Sequence, residues 1–326
     1  MKKIYGNEYL LSTIASMIDN GRSAQSVMFY GEKGSGRKLM AKHYTLSLMC
    51  ENLHDGKPCG VCNSCQNVLK GYHPDITYVE KSGKLGGFSV ETARSVINDS
   101  FIKPNNNNGK KVYIFTDCHN MDPRTQNMLL KLVEEPPEYA YYIFTCKSRN
   151  DFLPTIISRC ICFGVSVCTE SEAETSLLES GFSQDEVNNA VECFHGNIGL
   201  CTEYITDEVL RKQVDLTKSL ADSIIRKDEY MLNVQLFSLG NGRSEVKSVL
   251  SMLDILIRDA AVLGKNPDAD VMGCYRKGAE ELSRVLVFSQ TMKIHRIIEK
   301  AERSIDSNVT IPLVTAAMSG EIIAAI

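Results

Sequence analysis

The sequence has no tryptophan, and aromatic residues are only 7% of it. It therefore lacks the stacking platforms on which single-stranded nucleic-acid binders hold bases. No wholly apolar run approaches the roughly 18 residues of a membrane helix; the runs are short pieces such as Ile156-Ile157 and residues 322–326. No apolar stretch follows Met1-Lys2-Lys3, so neither signal peptide nor membrane anchor is expected and the reading is cytoplasmic. Basic residues cluster no further than pairs such as Arg37-Lys38 and Lys110-Lys111, and the one low-complexity tract, residues 105–108, is four asparagines read as a surface loop. Internal repeats are absent.

The chain has 326 residues, more than one compact core of ordinary size holds, so two or three domains are expected. The net charge of −4 is unevenly spread. Residues 1–163 hold 20 Lys and Arg against 15 Asp and Glu, whereas residues 164–326 hold 16 against 25. The first part can sit near a polyanion; the second is poorly suited to it.

Cysteine is the residue in excess, with 12. Four of them, Cys50, Cys59, Cys62 and Cys65, follow C-x8-C-x2-C-x2-C in a turn-rich segment. That grouping reads as a metal site in a reducing compartment rather than a disulfide scaffold. Four thiolates suit tetrahedral Zn²⁺ in a closed, structural site. An iron–sulfur cluster uses the same ligands, and His54 or His73 could replace one cysteine. The other eight cysteines, at 118, 146, 160, 162, 168, 193, 201 and 274, lie mostly among apolar neighbours and are assigned no chemistry.

Apolar runs at 27–30, 75–80, 111–116, 141–145 and 160–163 read as strands. Helical patterns at 39–50, 90–100, 123–133 and 153–158 alternate with them, which predicts a mainly parallel sheet with helices on both faces. After residue 163 only helical patterns remain: 170–180, 184–194 and 200–204, then 210–227, 229–239, 245–263, 275–289 and 291–304. Expected links are 241–244, 264–270 and 306–308.

Residues 31–38, Gly-Glu-Lys-Gly-Ser-Gly-Arg-Lys, stand after a strand and before a helix, where a P-loop belongs. A working loop cradles phosphates on backbone N–H groups, reaches them with a Lys and holds Mg²⁺ with a Ser or Thr hydroxyl. Gly31, Gly34 and Gly36 are present. Arg37, however, stands at the Lys position and Lys38 at the hydroxyl position, where an ammonium has no lone pair for a metal. Two readings stand: a glycine turn kept for its backbone shape, or residual binding of ATP or ADP. The strand 111–116 runs into Asp117-Cys118, where an active motor of this architecture would have Asp-Glu. Asp117 is either a remnant of the magnesium site or a polar strand end, and a thiol at 118 is no base at neutral pH unless its pKa is strongly shifted.

These residues, with Leu129-Leu130-Lys131-Leu132-Val133-Glu134-Glu135-Pro136-Pro137 and Ser158-Arg159-Cys160, make the chain resemble the bacterial clamp-loader AAA+ family of DNA polymerase III along its whole length. The resemblance implies an α/β P-loop (AAA+) domain with a parallel sheet at 1–163, with a zinc-binding insertion at about 50–65. A small helical lid domain at 164–207 and an all-α collar domain at 208–326 would follow. It further implies that Arg159 is an arginine finger acting in trans on a neighbour's ATP. From the local sequence, Arg159 also reads as a cation at a helix C-terminus. Thr145 matches the family's polar residue at the end of the next strand, and the lid arginine of its ATP-hydrolysing members has no counterpart at residues 196–199. The implied role is a non-hydrolysing subunit that braces a hetero-pentamer with gamma/tau-type motor subunits and a delta-type subunit, loading a sliding clamp on primed DNA. The alternatives are a hydrolysing gamma/tau-type motor and a zinc-knob nucleic-acid-binding module.

Overall fold

The computed structural model describes residues 3–82, 87–240 and 242–326; Met1, Lys2 and, in the expected link 241–244, Asn241 lie outside them. The chain divides into two compact units, Met1–Glu172 and Ala173–Ile326. The first runs α1 (Glu8–Asp19), β1 (Ser26–Tyr30), α2 (Arg37–Met49), α3 (Asn63–Lys70), β2 (Ile76–Tyr78), α4 (Val90–Ser100), β3 (Lys111–Phe115), α5 (Pro123–Glu134), β4 (Ala140–Cys146), α6 (Pro154–Ile157) and β5 (Ile161–Gly164). α7 (Glu170–Glu179) spans the boundary between the units.

All strand pairs are parallel, in the order β2-β3-β4-β1-β5. Side chains alternate between two cores. Val27, Phe29, Val112, Ile114, Tyr141 and Ile143 face one core with Leu10, Ile14, Met40 and Tyr44 of α1 and α2. Met28, Tyr113, Phe115, Tyr142 and Phe144 face the other with Val96, Leu129 and Ile156 of α4, α5 and α6. Burial on both faces is why the strands read as continuous apolar runs rather than alternating ones. Helix starts follow ordinary capping chemistry: the Ser89 side chain accepts the Thr92 N–H before α4, and Asp122 caps α5 with Pro123 in its first turn.

The second unit continues with α8 (Gln184–Phe194), α9 (Ile198–Thr206), α10 (Glu208–Arg226), α11 (Glu229–Ser238), α12 (Arg243–Leu263), α13 (Arg276–Val285), α14 (Phe288–Asp306) and α15 (Ile311–Ala325). α12 packs against α10, α13 and α14, and its Leu250, Leu253 and Ile257 meet Leu220, Leu282 and Ile298 in the core. No described helix is long and apolar enough to cross a membrane.

Three helices, α1, α3 and α15, were not predicted by the sequence patterns. The expected break at residue 290 falls instead at Leu286-Val287. The reason is local. Gln290 lies inside α14, and its Oε1 accepts the Val287 N–H at 3.0 Å, so the polar residue caps the helix rather than interrupting it.

Candidate functional site

In a parallel sheet the carboxyl ends of the strands are where loops can converge on a ligand, and here the loops after β1 and β3 and the end of β4 meet. Gly31 N–H donates to the Cys146 carbonyl at 3.2 Å, tying residues 31–36 to β4. A Cβ at Gly31 would stand 2.3 Å from the Val165 carbonyl oxygen, so no side chain fits there. Gly36, the N-cap of α2, has φ 94°, a left-handed conformation that glycine adopts without strain. Gly34 has φ 85° in the same loop.

Arg37 folds back into this loop. Its side chain is only 10% exposed; one guanidinium nitrogen donates to the Gly31 carbonyl and the other to Asp117 Oδ1 at 2.8 Å. Lys38 Nζ lies 2.5 Å from the second carboxylate oxygen. Asp117, at φ 53°, donates its own N–H to Thr145 Oγ1 at 2.9 Å, and Thr145 is fully buried. The expected residues 31, 34, 36, 37, 38, 117 and 145 therefore do come together. Burial works to raise the Asp117 carboxyl, but hydrogen bonds and charge from Lys38 and Arg37 outweigh it and hold it below the ordinary range. A helix N-terminus favours anions, and the anion beside these two first-turn cations is supplied by the chain itself.

The neighbouring groups add little catalytic capacity. Cys118 is buried, its Sγ donates to the Phe115 carbonyl at 3.4 Å, and burial pushes the thiol well above its usual value. It is not a general base. The Ser35 hydroxyl, buried in the loop without a hydrogen-bond partner, is the group that sequence reasoning passed over; it has a donor and lone pairs unused.

Arg159 follows α6 and is 40% exposed on its side chain. It is held rather than free: Nη2 pairs with Glu134 Oε1 at 2.8 Å, and Nη1 donates to the Thr155 carbonyl at 3.0 Å. Glu134, the last residue of α5, drew attention in the sequence only as part of a motif. In the second unit, Asn197 caps α9 by accepting the Leu200 N–H at 3.0 Å, with no arginine in residues 196–199.

At the other end of α2, Cys50 is the C-cap and Cys62 the N-cap of α3. The four sulfur atoms of Cys50, Cys59, Cys62 and Cys65 lie within 4.8 Å of one another, with Cys50 and Cys59 3.6 Å apart. Tetrahedral zinc with Zn–S bonds of about 2.3 Å sets its sulfurs roughly 3.8 Å apart, so the cluster can hold such an ion. Backbone N–H groups of Cys59, Cys62 and Cys65 donate to the sulfurs of Cys50, Cys59 and Cys62 at 3.3, 3.3 and 3.4 Å. Such donors favour thiolates; those of Cys62 and Val61 lower Cys59 to about 6. Neither histidine joins the cluster. His73 is turned to Ser64 Oγ at 3.1 Å and to the Asp75 N–H at 3.2 Å.

A parallel sheet with a glycine loop at the carboxyl end of β1, followed by a wholly helical unit, is an AAA+ clamp-loader fold. The chain belongs to the family described as DNA polymerase III, delta subunit, whose model matches residues 6–168, half of its length. It is similar to DNA polymerase III subunit tau of Escherichia coli, with 25% identity over 79% of this chain and 36% of the relative. It is likewise similar to subunit gamma of Buchnera aphidicola from Acyrthosiphon pisum, with 23% identity over 78% of this chain and 63% of the relative. The chain thus spans about a third to under two thirds of these relatives. Among solved structures, a gamma subunit-related protein of DNA polymerase III from Thermotoga maritima aligns over 96% of this chain and 98% of its own, at 16% identity and a TM-score of 0.45.

Proposed function

We propose that the chain is a non-hydrolysing clamp-loader subunit of the delta-prime type. It braces a hetero-pentamer with gamma/tau-type motor subunits and a delta-type subunit, and supplies Arg159 to a neighbour's ATP so that the sliding clamp is loaded on primed DNA in the cytoplasm. The observation that carries this reading is the closed set at residue 117: Arg37 and Lys38 occupy the phosphate and metal positions and are both committed to Asp117. The water-polarising position holds a buried thiol. Residues 164–207 would act as the lid and 208–326 as the collar. One Zn²⁺ on Cys50, Cys59, Cys62 and Cys65 would staple the insertion; metal analysis distinguishes it from an iron–sulfur cluster.

The gamma/tau names of the relatives favour the second reading, a hydrolysing motor. That reading needs a hydroxyl for magnesium and a base for water, and residues 38 and 118 offer neither.

Arg159 distinguishes the donor role. Its exposed position means Arg159→Ala should leave the fold and assembly intact, while ATP turnover by the adjoining motor subunit in the reconstituted complex should fall by well over tenfold. Finger arginines elsewhere contribute about 10³–10⁵. Arg159→Lys should recover little, because a point charge lacks the planar fork. An alanine complex that turns over ATP and loads clamps at the parental rate removes Arg159 from the mechanism.

A further inference from the structure

Between α12 and α14 a cleft of about 420 Å³ opens on the helical unit. Its floor is Ile257, 1% exposed, and its walls are Val262, Phe288 and Met292, three large apolar side chains that face solvent. The volume lies in the range of ligand sites, about 300–1,000 Å³, and holds several side chains of a bound segment.

The rim is cationic. Arg258 touches the Met272 sulfur, and Lys265 Nζ stands 4.2 Å from the centre of the Phe288 ring; among the described residues neither pairs with a carboxylate. Among the described residues the one carboxylate lining the cleft, Asp254, is held by His295 Nδ1 at 2.7 Å. Residues 164–326 hold 16 Lys and Arg against 25 Asp and Glu, so two unpaired cations around an apolar hollow run against the charge of their own surroundings. The complement is an acidic occupant with apolar side chains. A second copy docked symmetrically through the same cleft would bring the same cations face to face.

We propose that this cleft binds a short acidic segment of a partner protein, which inserts two or three aliphatic or aromatic side chains over Ile257 and sets its carboxylates on Arg258 and Lys265. This is the helix-in-groove mode of recognition, with anchors spaced along one face of the segment. The cleft is lined only by residues of the second unit and includes neither the nucleotide loop nor Arg159, so its test is separate from that of the donor role.

Panning a phage library of random dodecapeptides against the full chain tests this. Recovered peptides should combine Asp or Glu with Phe, Leu, Ile or Trp, and as labelled synthetic peptides should bind in an anisotropy titration. The double variant Arg258→Glu, Lys265→Glu changes only exposed side chains and should weaken binding at least about tenfold. Ala261→Trp, which fills the hollow without altering charge, should do the same. Recovery of no acidic apolar peptides, or binding that neither variant weakens, overturns the proposal. So does sedimentation showing a dimer of the chain that Ala261→Trp converts to monomer, because the occupant is then a second copy.

Discussion

The two ends of α2 differ in what their residues offer a ligand. At the N-terminal end the backbone of a phosphate loop is present, with Gly34 and Gly36 at positive φ, yet the side chains that would meet a nucleotide are turned on Asp117. At the C-terminal end, four sulfurs with three backbone N–H donors stand together, a set that satisfies itself poorly without an ion. Backbone shape and side-chain chemistry are therefore separable. A loop whose charged side chains neutralise one another can serve as a structural turn, whereas four sulfurs gathered with N–H donors and no cation among them are arranged for what they would bind.

The largest effect should come from the cysteine end. Cys62→Ser removes one of the four sulfurs but leaves a hydroxyl able to cap α3, so its effect reads the loss of the sulfur alone. The variant should lose its metal and several kcal/mol of stability, roughly 10 °C or more in melting temperature. Metal analysis and calorimetry check this together; a variant with unchanged metal content and melting temperature would show the cluster is no metal site.

A smaller effect is expected at the loop. Asp117→Asn leaves the nearly buried Arg37 without its counter-charge and should cost about 1–3 kcal/mol. The carboxyl titrates lower in the folded chain than in the unfolded one. Its contribution is therefore present above the unfolded value of about 3.9 and is lost as pH falls through the lower folded value. Urea titrations of the two proteins should differ at neutral pH and converge in acid. A constant difference would mean the charge is not what Asp117 contributes.

Smallest of all should be Lys38→Ala. The Lys38 side chain is 59% exposed, where ion pairs contribute under about 1 kcal/mol. A loss as large as that of Asp117→Asn would make Lys38, rather than Arg37, the residue that closes the loop.

Much of the fold was legible because both faces of the sheet are buried, which gave runs such as Val27-Met28-Phe29 and Val112-Tyr113-Ile114 between turn residues. α1 has the helical spacing Leu10, Ile14, Ile18 and could have been found. α3 was hidden because its cap is a cysteine thiol rather than the usual Ser, Asp or Asn. The cysteine cluster was readable from spacing alone, since its four cysteines lie within 16 residues. The pairings of Arg37 with Asp117 and of Arg159 with Glu134 were not readable. They join residues 80 and 25 positions apart, and only the packing of α5 and α6 and the register of β1, β3 and β4 bring them together.

ATP turnover by the isolated chain tests the loop half of the comparison most directly. With Arg37 and Lys38 on Asp117 and a buried thiol at 118, the wild-type chain with Mg²⁺ should hydrolyse ATP no faster than Gly36→Val, whose side chain is incompatible with φ 94°. Exchanging Arg37→Lys and Lys38→Thr should restore nothing while Cys118 remains. A magnesium-dependent rate in clean wild-type protein that Gly36→Val abolishes would make this chain a motor and contradict the account.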